Sequence, residues 1–295
     1  MQKTNEENPT PRGRRAALPL LVLALLFSAP SRGTAQEAAA VLSKGSGLYF
    51  ETFLAFQKSL GRPIASFDLS KEKPKLGDEL KAAVAFGSMA AAFEYPGKAK
   101  VIYLLAPGYE PKNTAGRFAG ISALPDPAQA VAAYKLFQPG LRRLAVFFKK
   151  GSADAYLSQL SGAGKALGME IFPVGLGGPL EFPGKLRGLQ GKLDAFWLLP
   201  EPALINKTSL QVLAEFSCSN KIPFYAPSGG LTELGAAASF APTYEEAGKA
   251  AAAALEAALA GKPLPGTIYV ARSELTVNRT FSAKCGLQPA EGGAK

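Results

Sequence analysis

The residues through which this sequence could do chemistry are small or hydroxylated, and they follow apolar runs. Gly87-Ser88 comes directly after Ala82–Phe86, and Ser122 closes the run from Ala119. Ser152 ends Lys150-Gly151-Ser152 after Leu144–Phe148. Glu201 stands between two prolines after Phe196–Leu199, and Ser228 lies in Pro227-Ser228-Gly229-Gly230 after Ile222–Ala226. A Gly or Ser where a strand gives way to a helix lets a ligand reach free backbone N–H groups, which suit a carboxylate. The same residues also read as ordinary helix N-caps. Ser43-Lys44-Gly45-Ser46-Gly47 has the look of a phosphate cradle but lacks the G-x-x-x-x-G-K-[ST] spacing, which leaves Ser46 and the following Tyr49 as polar ligand contacts. Glu201 reads either as the partner of a ligand amine or as a solvated loop acid. Trp197 lies inside an apolar run and reads as core.

What is missing narrows the chemistry further. The sequence has no histidine. That removes the usual general base, the Ser–His and Cys–His pairs, and the commonest metal ligand. Cys218 and Cys285 are too few for a zinc site; they form either one disulfide or two separate buried thiols. No Asp/Glu pair stands out as an acid–base couple, so no catalytic residue, metal or cofactor is expected. The formal charge of +10 is spread along the chain without a basic, aromatic-interleaved stripe, which argues against nucleic acid.

The N-terminus reads as an address. Arg12, Arg14 and Arg15 precede an apolar run from Ala16 to Ala29, and Gly33-Thr34-Ala35 supplies small residues for a peptidase. The run is short for a membrane span. Residues 1–35 are therefore expected to be a signal peptide, cleaved after Ala35 to leave a periplasmic or secreted protein.

The elements that must position these residues alternate. Candidate strands are Ala38–Leu42, Ile64–Leu69, Ala82–Phe86, Val101–Leu105, Leu144–Phe148, Glu170–Val174, Ala195–Leu199 and Pro223–Ala226. Runs apolar on both faces fit parallel strands buried between helices. A helix is predicted from Leu48 to Leu60, stopped by Gly61. Another follows Asp126 as N-cap with Pro127 behind it and ends before Pro139; a third runs from after Ser152 to Gly168. Asn206 caps a fourth, and Thr243 with Glu246 marks the start of an alanine-rich helix ending near Ala260. Strand–helix alternation in two series, with Pro139-Gly140 between them, predicts two doubly wound α/β lobes and a ligand cleft at the carboxyl ends of the strands.

The segment Asp194–Pro265, together with "VAFGSMAAA", "GISALPDPAQAVAAYKLFQPGLRRLAVFF" and the weaker "VLSKGSGLYFETFLAFQKSLG", resembles the ABC transporter substrate-binding proteins of the type I periplasmic fold, the tryptophan- and tyrosine-type binding proteins. The resemblance implies two lobes joined by a three-crossing hinge. Lobe 1 would hold residues 36–139 and 236–264, lobe 2 residues 140–235 and 265–288, with a tail at 289–295. A final strand at Thr267–Leu275 would belong to lobe 2. It also implies a non-enzymatic monomer that hands a small polar solute, an amino acid or similar carboxylate-bearing metabolite, to a membrane permease and ATPase. A sensing module for a membrane signalling partner is the alternative on the same fold. Lys149-Lys150 and Ala106-Pro107-Gly108-Tyr109 depart from the family pattern where ligand identity would be set, so an aromatic solute does not carry over.

Overall fold

The computed structural model describes residues 37–111 and 116–287; the expected signal peptide and the tail lie outside them. Two six-stranded sheets carry the fold. The first holds β1 (Ala38–Leu42), β2 (Ala65–Asp68), β3 (Ala82–Phe86), β4 (Lys100–Leu104), β5 (Phe118–Ile121) and β11 (Thr267–Ile268), all parallel, in the order β11-β5-β4-β3-β1-β2. The second holds β6 (Arg143–Lys149), β7 (Glu170–Leu176), β8 (Ala195–Leu198), β9 (Phe224–Ala226), β10 (Ala238–Ala241) and β12 (Glu274–Val277), in the order β12-β10-β9-β8-β6-β7. Here β12 alone runs antiparallel, on β10.

Each strand divides its side chains between two cores, as the two-residue period demands. Ala40, Leu42, Val84, Phe86 and Ile102 face one core of the first sheet, and Ala39, Val41, Ala83, Ala85 and Val101 face the other. Helices α1 (Leu48–Leu60) and α7 (Tyr244–Leu259) cover the first of these faces with Phe53, Phe56, Ala251 and Leu255. The short α2 (Ser88–Ala91) packs on the other. In the second sheet Leu144, Val146, Trp197 and Tyr225 face α3 (Pro127–Phe137) and α4 (Asp154–Ala166). Phe147, Phe196, Leu198 and Phe224 face α5 (Phe182–Leu189) and α6 (Lys207–Asn220). Trp197 is fully buried core. The caps work as the sequence implies. Asp126 accepts from the N–H groups of Ala128 and Gln129, Asn206 and Ser209 form a reciprocal capping box, and Thr243 accepts from Glu246 N–H.

The lobe boundaries differ from the expectation. Helix α3 packs on the second sheet: the Tyr134 ring stacks on Tyr225 with centroids 4.2 Å apart, and its hydroxyl accepts from Phe240 N–H at 3.1 Å. Pro139-Gly140 is thus a turn within the second lobe, and the first crossing falls earlier, between Ser122 and Asp126. Strand β10 stays in the second sheet, so the return to the first lobe comes at Pro242-Thr243. The single strand expected at Thr267–Leu275 is two strands in different sheets, because the chain crosses between Ile268 and Glu274. Among the described residues the chain therefore passes between the sheets three times.

Two local interactions fix the second lobe. Cys218 and Cys285 are bonded, which ties α8 (Arg279–Lys284) to the end of α6. Closing a loop of 67 residues restricts the unfolded chain by about 4 kcal/mol in the entropic account. At the amino ends of the neighbouring strands, Asp194 joins β6 to β8. Its carboxylate accepts from the N–H groups of Arg142 and Arg143 at 2.9 and 2.8 Å and from the Arg143 guanidinium at 2.8 Å. Desolvation works against its charge, but these donors outweigh it and hold the carboxyl below the ordinary Asp value.

A Cβ on Gly248 would lie 2.7 Å from Phe56 N and 2.8 Å from Thr52 O, because α7 meets α1 backbone to backbone. Gly248→Ala should cost about 1–3 kcal/mol in urea denaturation, as overpacking does. Gly162→Ala, in an exposed stretch of α4 with open space around it, should gain about 0.5–1 kcal/mol. A lowered folded-state pKa means that Asp194 stabilises the fold fully above the unfolded carboxyl value of about 3.9, and that this is lost as pH falls through the folded value. Asp194→Asn should therefore be less stable than the parent at pH 7, with the gap narrowing toward pH 3; a gap independent of pH would refute the assignment.

Candidate functional site

The carboxyl ends of β4 and β5 in the first sheet and of β8, β9 and β10 in the second converge on one cavity of about 450 Å³. Its wall is mostly apolar: Leu104, Leu105 and Ile121 come from one lobe, Pro200, Pro227 and Ala241 from the other. Polar groups are few. They are Ser122, Ser228, Thr243, Tyr244, Thr276 and the carboxylate of Glu274. Leu105 holds φ at 53°, a left-handed conformation that a branched side chain rarely adopts, at the point where β4 meets the cavity. Strain of this kind persists where surrounding structure over-determines it, and it gathers at binding sites.

Each polar group arrives by a different local rule. Ser122 closes β5 and bends the chain toward the first crossing, its Oγ accepting from Leu124 N–H at 3.0 Å. Ser228 precedes a 3-10 segment, Gly229–Leu234, that begins on the cavity wall. Gly229 has no room for a side chain, since a Cβ there would sit 2.7 Å from Thr276 Oγ1. Thr243 caps α7, and among the described residues the N–H groups of Tyr244 and Glu245 find no protein partner. Burial, with the Glu51 carboxylate nearby, raises the Tyr244 phenol above its ordinary value, so it stays protonated as a donor. Glu274 and Thr276 are alternate residues of β12 and point the same way, into the cavity.

Of the residues singled out in the sequence, Ser122 and Ser228 line this cavity. The others form two neighbouring clusters. In one, Gly87 takes φ +96° at the end of β3, packed against Ser43 and the ring of Tyr49. Ser43, which opens the loop weighed as a phosphate cradle, caps α2 by accepting from Ala90 N–H at 2.9 Å. Ser88 reaches the Pro107 carbonyl at 3.3 Å, and Ser46 is exposed nearby. In the other cluster, the Ser152 hydroxyl lies against the Glu201 carboxylate and within 2.8 Å of the Lys149 carbonyl. Glu201 thus meets a hydroxyl of its own lobe. Thr243, Tyr244, Glu274 and Thr276 were missed. Thr243 was legible only as a cap, and no local pattern marks Glu274, because its place depends on the third crossing. Among the described residues, no group of three or more Cys, Asp or Glu is placed to hold a metal ion.

Comparison with known proteins separates fold from sequence. No family description and no curated protein matches the chain. Solved structures do. A ligand-free, open substrate-binding protein with adhesive properties from Clostridium difficile superposes with a TM-score of 0.60 at 16% identity, over 87% of this chain and 97% of the other. The chain has the type I periplasmic-binding-protein fold. An ABC domain in complex with L-Trp from Streptococcus pneumonia gives a TM-score of 0.57 at 14% identity, over 87% of this chain and 97% of that one. A conserved domain protein from Vibrio cholerae gives 0.58 at 15%, over 88% and 97%. At these identities the likeness is one of fold.

The backbone at the end of β3 generates a prediction. Gly87→Ala would bring a Cβ within 2.5 Å of Ser43 Oγ and 2.8 Å of the Tyr49 ring, at a positive φ. It should cost about 1–3 kcal/mol. Gly230→Ala, in open space at the cavity mouth, should stay within about 0.5 kcal/mol of the parent. Chemical denaturation of the two variants checks the contrast.

Proposed function

We propose that this chain is a periplasmic, non-enzymatic solute-binding protein. It would capture a small polar solute, an amino acid or similar carboxylate-bearing metabolite, between its lobes and deliver it to the permease and ATPase of an ABC importer. The observation that carries the reading is the shared cavity, built from both sheets at the carboxyl ends of their strands and flanked by the chain crossings. Its volume and its largely apolar wall with a few convergent polar groups suit a small ligand. The uncapped N–H groups at the start of α7 suit a carboxylate. The Cys218–Cys285 bond agrees with an oxidising compartment, as does the N-terminal address read from the sequence. Among the described residues no helix is long and apolar enough to cross a membrane. Two of the solved structures are a substrate-binding protein and an L-Trp complex, which supports the same kind of role here. Among the described residues the cavity offers hydroxyls and one carboxylate but no nucleophile–base pair, which favours binding over turnover.

The test is a melting screen of residues 36–295 against amino acids, peptides, nucleosides, sugars and organic acids. A ligand that binds only the folded state adds about 2.7 kcal/mol at 100 times Kd. One class should raise Tm clearly. No rise with any class, together with no small molecule released on denaturing the purified protein, would overturn the reading. Chemical conversion of a bound solute would replace it with an enzymatic one.

A further inference from the structure

Among the described residues, Glu274 is the sole charged side chain on the cavity wall. Among the described residues it makes no ion pair and no hydrogen bond through its side chain. Its position follows from topology. Because β12 runs antiparallel to β10, its first residue lies beside Ala241, at the carboxyl end of β10. A parallel strand there would have brought its opposite end to the ligand. The alternation of β12 then turns Glu274 and Thr276 to the same side, and both reach the cavity, with Ser239 opposite Thr276 in the ladder.

Glu274 is exposed to solvent at the edge of this mostly apolar wall, and a carboxylate there has one chemical preference. A cationic group that enters is held by a charge-assisted hydrogen bond, whereas a second anion at that end is repelled. The rest of the wall, Leu104, Leu105, Ile121, Pro200 and Pro227, offers no competing charge and suits a compact hydrocarbon body. We infer that Glu274 selects the solute by its ammonium group, so that the cavity takes compact primary amines and amino acids with largely apolar side chains and rejects their deaminated counterparts. Glu274 is a specificity-determining residue in this account, and Thr276 stands beside it as a hydroxyl acceptor for the same ammonium. The inference rests on the solute-binding reading and goes beyond it by naming the group recognised and the residue that recognises it.

The experiment uses two matched probe series, L-leucine, isoamylamine and 4-methylpentanoate, and L-phenylalanine, phenethylamine and 3-phenylpropionate. Binding is measured by calorimetry to residues 36–295 and to Glu274→Gln. The amine-bearing members of at least one series should bind the parent, and the acid lacking the amine should bind at least tenfold more weakly than its amino acid. Glu274→Gln should lose roughly tenfold to hundredfold in affinity for the amines, the size of a hydrogen bond to a charged partner, with Glu274→Asp retaining part of it. The ligand-free Tm of the variants reports whether the fold is intact. Equal affinity of parent and Glu274→Gln for an amine probe overturns the inference. So does failure of every amine probe to bind. In the latter case a Tm rise with sugars or organic acids leaves the solute-binding reading standing, and its absence with every class removes that reading too.

Discussion

The whole arrangement depends on one constraint: both sheets are buried on both faces. In β1 and β3 every residue is buried, so side chains of either parity must meet a packed helix layer. Parallel strands with helices on both sides can be connected only by crossovers, and these gather the strand ends on one edge of each sheet. The two edges then face one cavity because the chain passes between the sheets at Ser122–Asp126, Pro242-Thr243 and after Ile268. The site is in this sense a by-product of core burial. Its polar groups stand at strand ends, at the start of α7 and along antiparallel β12, and its apolar wall includes strand-end residues such as Leu104 and Ile121 that also belong to the core of the first lobe.

The elements most legible in the sequence are those whose physics is local. Strand β1 and helix α1 form where the apolar run and the Gly61 stop put them. Helices α3, α6 and α7 begin at the side-chain caps that mark them. What is set by distant partners was not legible. Pro139-Gly140 has every local feature of a boundary, yet it turns within a lobe, because the face of α3 carrying Ala130, Val131, Tyr134 and Phe137 fits the second sheet. Strand β5 escapes notice because it is four residues long with a glycine inside. That glycine is required: a Cβ on Gly120 would lie 2.8 Å from the Tyr103 ring on β4. The stretch from Thr267 to Leu275 carries no Gly or Pro to show that it divides between two sheets. The bonding of Cys218 to Cys285 likewise depends on where α8 docks, which no spacing reveals.

The same division runs through the site. Ser122 and Ser228 were legible because strand-end hydroxyls have a local signature. Glu274 was not, because its contribution comes from the direction of β12, a property of the sheet. Ser152 and Glu201 show the converse. Each follows a strand and was read as a candidate ligand contact, and the structure sets the Ser152 hydroxyl against the Glu201 carboxylate within the second lobe.

In the proposed solute-binding reading, occupancy matters only through its effect on the relation of the lobes. A solute held by one sheet alone would leave the balance between conformations unchanged however tightly it bound, since only differential affinity moves such a balance. In this cavity the first lobe contributes Leu104, Ile121 and the start of α7, and the second contributes Pro227, Thr276 and Glu274. A molecule filling it touches both lobes at once. In the proposed reading, the N–H groups of Tyr244 and Glu245 offer positive charge from one lobe and Glu274 offers negative charge from the other. A solute carrying both complementary groups engages the two lobes together, and neither lobe alone presents the pair. The separation of the two poles onto different lobes is what would convert recognition of a small molecule into a change that a membrane partner can read.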